Sequence, residues 1–187
     1  MNIEAEIEHH NEVVNSLRGN QTSIEEVITL LAESLRNYGT IMFCGNGGSA
    51  SDSQHLAAEF IGRFTVNRKP IPALCLNTDT SVLTCIANDF SYDEIFSRQV
   101  EGLGKKNDIL FCISTSGESS NILKACESAQ NKGIKIVALL GKGGGAALEF
   151  CDAAILVDSN HTARIQEAQI FVGHLICGEI ERRLDLV

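Results

Sequence analysis

The sequence predicts an α/β protein built on a doubly wound, five-stranded parallel sheet. Two observations carry this prediction: five short apolar runs alternate with helical patterns, and glycine-rich or hydroxyl-rich turns follow two of those runs. Short apolar runs are typical of strands buried on both faces, and their alternation with helices favours a parallel sheet. With 187 residues, of which 44% are hydrophobic, the chain is long enough for one full core. Residues 1–187 are therefore predicted to form a single domain.

The predicted elements follow one another along the whole chain. Strands are expected at 41–44, 73–76, 108–113, 135–140 and 153–157. Helices are expected at 3–17, 22–37, 50–64, 79–87, 92–103, 120–131 and 162–184, with a short helix after Gly145. A hydroxyl at Thr22 or Ser23, followed three residues later by Glu25 or Glu26, predicts a capping box at the start of the second helix.

Three of these helices are additional to the alternating pattern. Two extra N-terminal helices precede the first strand, and a long C-terminal helix follows the last one. The apolar surface of the last helix is wider than contact with one sheet requires. We therefore expect the extension over 1–38 and the last helix to pack against copies of themselves in a homo-oligomer.

The turn after the first strand has the features of an anion site. Gly45-Asn46-Gly47-Gly48-Ser49 exposes backbone N–H groups at the start of a helix, where the helix dipole also favours negative charge. One turn further along that helix, His55 and Glu59 are four residues apart and so share one face. The alternative for the glycine loop is a tight turn that binds nothing. The alternative for His55 and Glu59 is that they are ordinary surface residues of the helix.

Two nucleotide-binding interpretations of this loop are disfavoured, a dinucleotide site and a Walker-type site. Gly45, Gly47 and Ala50 fit the G-x-G-x-x-G/A pattern, but a dinucleotide site also needs an acidic residue about 20 positions later. The first acid after the next predicted strand is Asp79, more than 30 positions past the loop. A Walker-type loop is excluded, because no Gly-Lys-Ser/Thr follows the glycines.

A second turn, after the third strand, is rich in hydroxyl groups. It carries four of them within six residues, at Ser114, Thr115, Ser116 and Ser119. Hydroxyls at a helix start are often only caps, but four exceed what capping requires and favour a phosphate site. Because both turns follow parallel strands, they are expected at the same edge of the sheet, where ligands bind in such folds. The sequence therefore predicts a site for a phosphorylated small molecule.

Composition narrows the choice of partner and compartment. The formal charge of −9 argues against nucleic acid and anionic membranes as main partners. No apolar run approaches the roughly 20 residues that cross a bilayer, and the acidic first residues do not resemble a signal peptide. A cytoplasmic protein is expected.

The cysteines give no sign of a disulfide framework or a metal cluster. There are seven of them, without a Cys-x-x-Cys pair, and Cys44, Cys75 and Cys112 fall inside apolar runs. We expect reduced thiols that pack as small hydrophobic side chains.

One histidine stands out on the last predicted helix. His174 lies among Val172, Leu175 and Ile176, on the most apolar helix of the chain. Most histidines at such positions are core residues whose hydrogen bonds are satisfied by the protein. The alternative is that His174 belongs to a functional site. Gln166 and Glu167, at the start of the same helix, are equally ambiguous.

Taken together, these motifs resemble a known family. They are Gly-Asn-Gly-Gly-Ser with His-x-x-x-Glu over 45–59, Ala-Asn-Asp-Phe at 87–90, Ser-Thr-Ser-Gly-x-Ser at 114–119, Thr-Ala-Arg-Ile-Gln-Glu at 162–167, and His174. In this combination the sequence resembles the phosphoheptose isomerases, the sedoheptulose 7-phosphate isomerases of the sugar isomerase (SIS) domain superfamily, over about residues 1–185. The resemblance implies a flavodoxin-like SIS sheet and a cytoplasmic homotetramer with active sites at subunit interfaces.

The resemblance also implies an activity and a role for individual residues. The reaction would convert sedoheptulose 7-phosphate to D-glycero-D-manno-heptose 7-phosphate, the first step of bacterial ADP-heptose biosynthesis toward lipopolysaccharide or capsule. Glu59 would be the base and His174 the acid. The phosphate would be bound by Ser114, Thr115, Ser116 and Ser119, and the sugar by Asn46, Gly47, Gly48, Asn88, Asp89 and Gln166. Gln169 departs from the family pattern, since many relatives have His there, and it is not among the implied ligands.

A zinc ion is a further implication of the resemblance. Several members bind zinc through residues that match His55, Glu59, Gln166 and His174, which implies one ion per subunit. On an ideal helix, Gln166 and His174 are roughly 12 Å apart along the axis and about 80° apart around it. One straight helix would strain to present both to one ion, so we predict that these two residues come from different subunits.

The rival interpretation is a non-catalytic SIS domain that binds a phosphosugar or a replication-initiator protein. Members of that group resemble this sequence in the glycine loop and in the 162–167 region. They lack the helix glutamate and the late histidine. Because both Glu59 and His174 are present here, the sequence favours the enzyme.

Overall fold

The computed structural model describes residues 2–187, and it confirms the predicted sheet. Five parallel strands lie in the order β2-β1-β3-β4-β5. They are β1 (Ile41–Gly45), β2 (Ala73–Cys75), β3 (Ile109–Ser114), β4 (Lys135–Gly141) and β5 (Ala153–Val157). The helices are α1 (Ile3–Ser16), α2 (Gln21–Arg36), α3 (Gly48–Ile61), α4 (Thr80–Asp89), α5 (Ser97–Leu103), α6 (Ser120–Asn131) and α7 (Thr162–Arg183). Short 3-10 turns cover Leu17–Asn20, Tyr92–Glu94 and Ala146–Phe150.

The strand order places the two predicted binding turns side by side. β1 pairs with β2 on one side and with β3 on the other, and Gly45 lies opposite Ile113 in the β1–β3 register. The direction of winding therefore reverses between β1 and β3. In open parallel sheets, ligands bind at such a switch point, beyond the carboxyl ends of the strands.

Two apolar layers hold the sheet between the helices. Phe43 and Phe111 face the layer formed with α2, α3 and α7, whereas their neighbours Met42 and Leu110 face the layer formed with α4, α5 and α6. This alternation follows from the two-residue period of a strand. All four side chains are at most 1% exposed, so both faces of the central strands are buried, as the apolar runs predicted.

The cysteines mostly behave as expected from their apolar surroundings. All seven are free thiols, and Cys44, Cys75 and Cys112 are buried. Cys85 is exposed. Burial raises the pKa of Cys177 to about 12, and the nearby carboxylates of Glu59 and Glu181 contribute to this rise. The thiol of Cys177 therefore stays protonated at neutral pH.

Three local predictions were wrong. The third helix ends at Ile61 rather than at 64, because Arg68 rather than a further helical turn binds its last carbonyls. The predicted helix over 92–103 is divided into the 3-10 turn Tyr92–Glu94 and α5. The capping box is not formed, since α2 starts at Gln21 and its N-cap Asn20 donates its side-chain amide to the carbonyl of Leu156 (2.8 Å).

Within residues 2–187, no helix is both long and apolar enough to cross a lipid bilayer.

Candidate active site

The glycine loop brings the start of α3 close to α7. Gly47, the N-cap of α3, has φ +58°, a conformation that favours glycine. A Cβ at Gly48 would overlap the side-chain amide of Gln166 on α7. The two helices run side by side in the same direction, since Gly48 faces Gln166 and further along Leu56 faces Gly173. The missing side chains therefore set how closely the two helices approach.

A pair of asparagine side chains joins the glycine loop to the first turn of α6, which follows the hydroxyl loop. The amide of Asn46 donates to Asn121 Oδ1 (2.8 Å), and the amide of Asn121 donates back to Asn46 Oδ1 (2.9 Å). The hydroxyl of Tyr92 also donates to Asn46 Oδ1 (3.1 Å). Asn121 is buried in the first turn of α6. Asn46, a predicted sugar contact, therefore also links the glycine loop to the helix that follows the hydroxyl loop.

The hydroxyl loop is held in shape by two of its own serines. Ser114 Oγ accepts from the N–H of Gly117 (3.0 Å), and Ser116 Oγ accepts from the N–H of Glu118 (3.2 Å). Each hydroxyl keeps its own proton, which it can donate to an anion. Ser119 is the N-cap of α6, but its side chain makes no capping bond, so its hydroxyl remains available to a ligand.

A second glycine-rich segment supports this loop from behind. Gly117 has φ +66°, and a Cβ there would overlap the carbonyl of Gly144. A Cβ at Gly145 would overlap the carbonyl of Ser116. The N–H of Ala147 donates to the carbonyl of Gly117 (2.9 Å). The turn over 143–145 therefore fixes the loop through close backbone packing.

His55, Glu59 and His174 form a cluster between α3 and α7. The Nε2 atoms of His55 and His174 are 2.9 Å apart, and His55 Nε2 is 3.6 Å from Glu59 Oε1. The Phe64 ring stacks on the His174 ring, with a centroid separation of 5.5 Å. Side-chain exposure is 47% for His55 and 22% for Glu59, so the cluster is open to a ligand. His174 itself is half-buried and is hydrogen-bonded to the exposed His55, so it is not a core histidine. The structure brings all three residues together within one chain.

A buried ion pair fixes the end of α3 that carries Glu59. Arg68 Nε donates to Glu181 Oε1 (2.8 Å), and both side chains are at most 2% exposed. The Arg68 guanidinium also donates to the carbonyls of Glu59 (2.7 Å) and Phe60 (2.8 Å). Burial alone would raise the pKa of Glu181, but hydrogen bonds from the Phe64 amide, Thr65 and Arg68 hold it below its ordinary value.

Two of the predicted sugar contacts and the predicted fourth metal ligand lie away from the cluster. Asn88 and Asp89 are exposed at the end of α4, where the Asn88 amide donates to Asp89 Oδ1 (2.8 Å). Gln166 lies against Gly48, which is seven residues before His55, or roughly 10 Å along an ideal helix. The prediction that Gln166 joins His174 from another subunit therefore stays a prediction.

Sequence reasoning missed four residues that hold the site in place. Asn121 is the second residue after the hydroxyl motif, and Glu181 is an acid next to the apolar Ile180, so both had a local signal. Arg68 and Tyr92 had none, because their contacts join residues that are distant in the sequence.

The cluster has the donor types that zinc prefers, namely two imidazole nitrogens and a carboxylate. Tetrahedral ligands at about 2.0–2.1 Å from zinc are roughly 3.3 Å apart. The 2.9 Å between the two imidazoles is instead a hydrogen-bond distance. Among residues 2–187, no three His, Cys, Asp or Glu side chains are already arranged to hold an ion. The donor types fit zinc, but the two imidazole rings would have to move slightly apart to bind it.

Comparisons with known proteins identify the family. A SIS domain family model matches residues 7–141. Phosphoheptose isomerase of a Nitratiruptor species is 54% identical over 149 residues, covering 80% of each chain. Phosphoheptose isomerase of a Helicobacter pylori strain is 50% identical over 174 residues, covering 93% of this chain and 91% of that protein.

Solved structures agree with the sequence comparisons. The structure of phosphoheptose isomerase from Neisseria gonorrhoeae has a TM-score of 0.91 and 36% identity, and the match covers 96% of this chain and 97% of that chain. A phosphoheptose isomerase from Francisella tularensis has a TM-score of 0.88 and 32% identity, with 97% and 100% covered. The chain belongs to the phosphoheptose isomerase family of SIS domain proteins.

Proposed function

We propose that this protein converts sedoheptulose 7-phosphate to D-glycero-D-manno-heptose 7-phosphate by aldose-ketose isomerisation. The observation that carries the proposal is the cluster of Glu59, His55 and His174 on the two helices whose N-terminal halves adjoin the binding loops. Isomerisation between C1 and C2 needs one base beside these carbons and one acid near their oxygens. A carboxylate and an imidazole supply these groups.

The hydroxyl loop is suited to the phosphate end of the substrate. Ser114 and Ser116 have fixed hydroxyls, and Ser119 stands free at the start of α6, where the helix dipole favours an anion. Thr115, half-buried between them, completes the set. Binding energy gained at the phosphate orients the far end of the seven-carbon sugar for reaction.

Glu59 and His174 divide the proton transfers between carbon and oxygen. Glu59 takes a proton from C1 of the ketose, and the electron pair of that bond forms the C1=C2 double bond of an enediol. The C2 oxygen takes a proton from His174. In the second half Glu59 returns its proton to C2, and His174 recovers a proton from the C1 hydroxyl, which leaves the aldehyde.

Zinc is proposed as the metal of this site. His55, Glu59 and His174 of one chain would hold it, with Gln166 of a neighbouring chain as the fourth donor. When bound, zinc supplies a Lewis acid for the carbonyl oxygen. A carboxylate that holds a metal is a weaker base, so the two proposed roles of Glu59 compete.

Aldehyde-specific detection of product, combined with metal analysis, tests both proposals. Purified protein is expected to form an aldose from sedoheptulose 7-phosphate, to contain zinc, and to lose turnover on chelation and regain it when zinc is added. No aldehyde under any condition would contradict the isomerase. Full turnover after complete removal of zinc would contradict only the metal.

We also propose a homotetramer. The exposed apolar side chains Ile3 and Ile7 on α1, and Phe171 and Leu175 on α7, support an interface along these two helices. Sedimentation at micromolar concentration is expected to give a tetramer, and a monomer would contradict the proposal.

Mixed oligomers test the origin of Gln166. Mixing Gln166→Ala protein with Glu59→Gln protein is expected to restore part of the turnover, because a site formed between the two chains can be free of both substitutions. A Glu59→Gln and His174→Ala mixture is the control, and no rescue is expected there, since those residues meet within one chain. Rescue in the control mixture alone would contradict the assignment of Gln166 to a neighbouring chain.

The cytoplasmic location and the use of the heptose in lipopolysaccharide stay predictions. No specific observation favours the alternative of a non-catalytic domain that binds a replication initiator.

A further inference from the structure

We propose that Gln169 is a positioning residue that sets the affinity of the hydroxyl loop for the substrate's phosphate. Its side chain is completely buried in α7, below the sheet edge that carries the loop. The side-chain Nε2 donates to two carbonyls, that of Leu139 (2.9 Å) and that of Ser114 (3.2 Å). The inference deepens the proposed function, because it assumes that this loop binds the phosphate.

The two carbonyls belong to neighbouring strands at the point where the sheet ends. In the register of β3 with β4, Ile113 pairs with Leu139, and Ser114 is the last residue of β3. Beyond Ser114 the chain leaves the sheet. Gln169 supplies a donor where the backbone ladder ends, and it ties the peptide that follows Ser114 to β4.

Ser114 is the residue from which the rest of the loop is built. Its hydroxyl accepts from the N–H of Gly117, and Gly117 packs directly on Gly144. A rotation of the peptide between Ser114 and Thr115 would therefore move the loop's N–H and hydroxyl groups together. Gln169 opposes that rotation without touching the ligand.

The polar side chain of Gln169 leaves one buried atom without a hydrogen bond, so filling space in the core does not by itself account for a glutamine at this position. Its Oε1 is buried and has no hydrogen-bond partner within residues 2–187. An unpaired buried acceptor destabilises the fold, and the reverse orientation of the amide would place Oε1 against two carbonyls. A leucine would fill a similar volume without this cost. The amide is therefore accounted for by the two carbonyls that it holds.

The chain contains a matched control for this arrangement. Gln99 on α5 is also buried, and its Nε2 also donates to two carbonyls, those of Leu76 (2.9 Å) and Ile95 (2.7 Å). Both of these carbonyls lie outside the hydroxyl loop. Replacing Gln99 removes the same kind of bonds from a different part of the core.

The test measures binding of inorganic phosphate and the kinetics of sedoheptulose 7-phosphate turnover. Gln169→Leu is expected to weaken phosphate binding and to raise KM by about tenfold, which corresponds to one hydrogen bond of about 1.4 kcal/mol, with kcat changed less than about threefold. Gln169→His restores one donor and is expected to recover most of the affinity. Gln99→Leu is expected to lower stability but to leave phosphate affinity unchanged.

Each other outcome overturns the proposal. Equal loss of phosphate affinity in Gln99→Leu and Gln169→Leu would indicate general loosening of the core. Unchanged phosphate affinity in Gln169→Leu, or a fall in kcat at constant KM, would also contradict positioning of the phosphate. If Gln169→Leu does not fold, Gln169→His and Gln169→Met are compared instead: the Met side chain is unbranched and has no hydrogen-bond donor, so wild-type affinity in the Met variant would refute the role. Phosphate binding is measured without turnover, so failure of the isomerase proposal is recognised separately, by a wild-type protein that forms no aldose.

Discussion

Glu59→Gln is expected to lower the turnover of sedoheptulose 7-phosphate by about 10²–10⁴-fold. The amide has nearly the same shape as the carboxylate but cannot take a proton from C1. Because Glu59 is on α3 and the phosphate is assigned to the loop after β3, phosphate affinity is expected to stay at the wild-type value. The measurement is kcat with sedoheptulose 7-phosphate, together with direct titration of inorganic phosphate.

Glu179→Gln is a suitable control for this experiment. Glu179 is a partly exposed acid on α7 that pairs with Arg182 and Arg183, and it has no assigned role in the site. Its replacement is expected to leave kcat within about twofold, in line with the small effects of surface charges. Near-normal turnover in Glu59→Gln would refute the assignment of the base.

The second large effect is expected from Glu181→Gln, which should destabilise the protein by about 3–5 kcal/mol. Arg68 is buried with Glu181, and the substitution leaves its positive charge without a partner. Because Arg68 also binds the carbonyl of Glu59, turnover is expected to fall along with stability. The free energy of unfolding in urea, at one fixed protein concentration, measures the first effect.

The same Glu179→Gln variant controls for loss of a charge on α7, with an expected cost below about 1 kcal/mol. An equal cost in the two variants would contradict a special role for the buried pair.

The pH dependence of stability is a second test of the buried pair. Because the folded pKa of Glu181 lies below its unfolded value, its contribution is present at neutral pH and is lost as pH falls below roughly 4. The difference between wild type and Glu181→Gln should therefore narrow in acid.

The parts of the molecule that depend on neighbouring residues were predictable from sequence. The strands, the glycine turn and the hydroxyl turn are each encoded within a few residues, and parallel strands necessarily bring both turns to one edge. Helical spacing likewise placed His55 and Glu59 on one face. The fold and the location of the site followed from these local signals and simple geometry.

The supporting contacts were not predictable in this way. Asn46 and Asn121 are 75 residues apart, and Gln169 lies 55 residues from Ser114. No periodicity or motif relates such pairs, because they meet only through the packing of different elements. The helix end at Ile61 was missed as well, because the Arg68 side chain that binds its last carbonyls is itself held by Glu181, 113 residues further along the chain.

The close packing of Gly117 and Gly145 has a consequence for protein engineering. Neither position has room for a methyl group, because the backbone of the other segment lies directly against it. Residues 114–119 and 143–147 are therefore one module, although they are separate in the chain. Grafting the first segment onto another scaffold to confer recognition of a sugar phosphate would require transplanting the second segment with it.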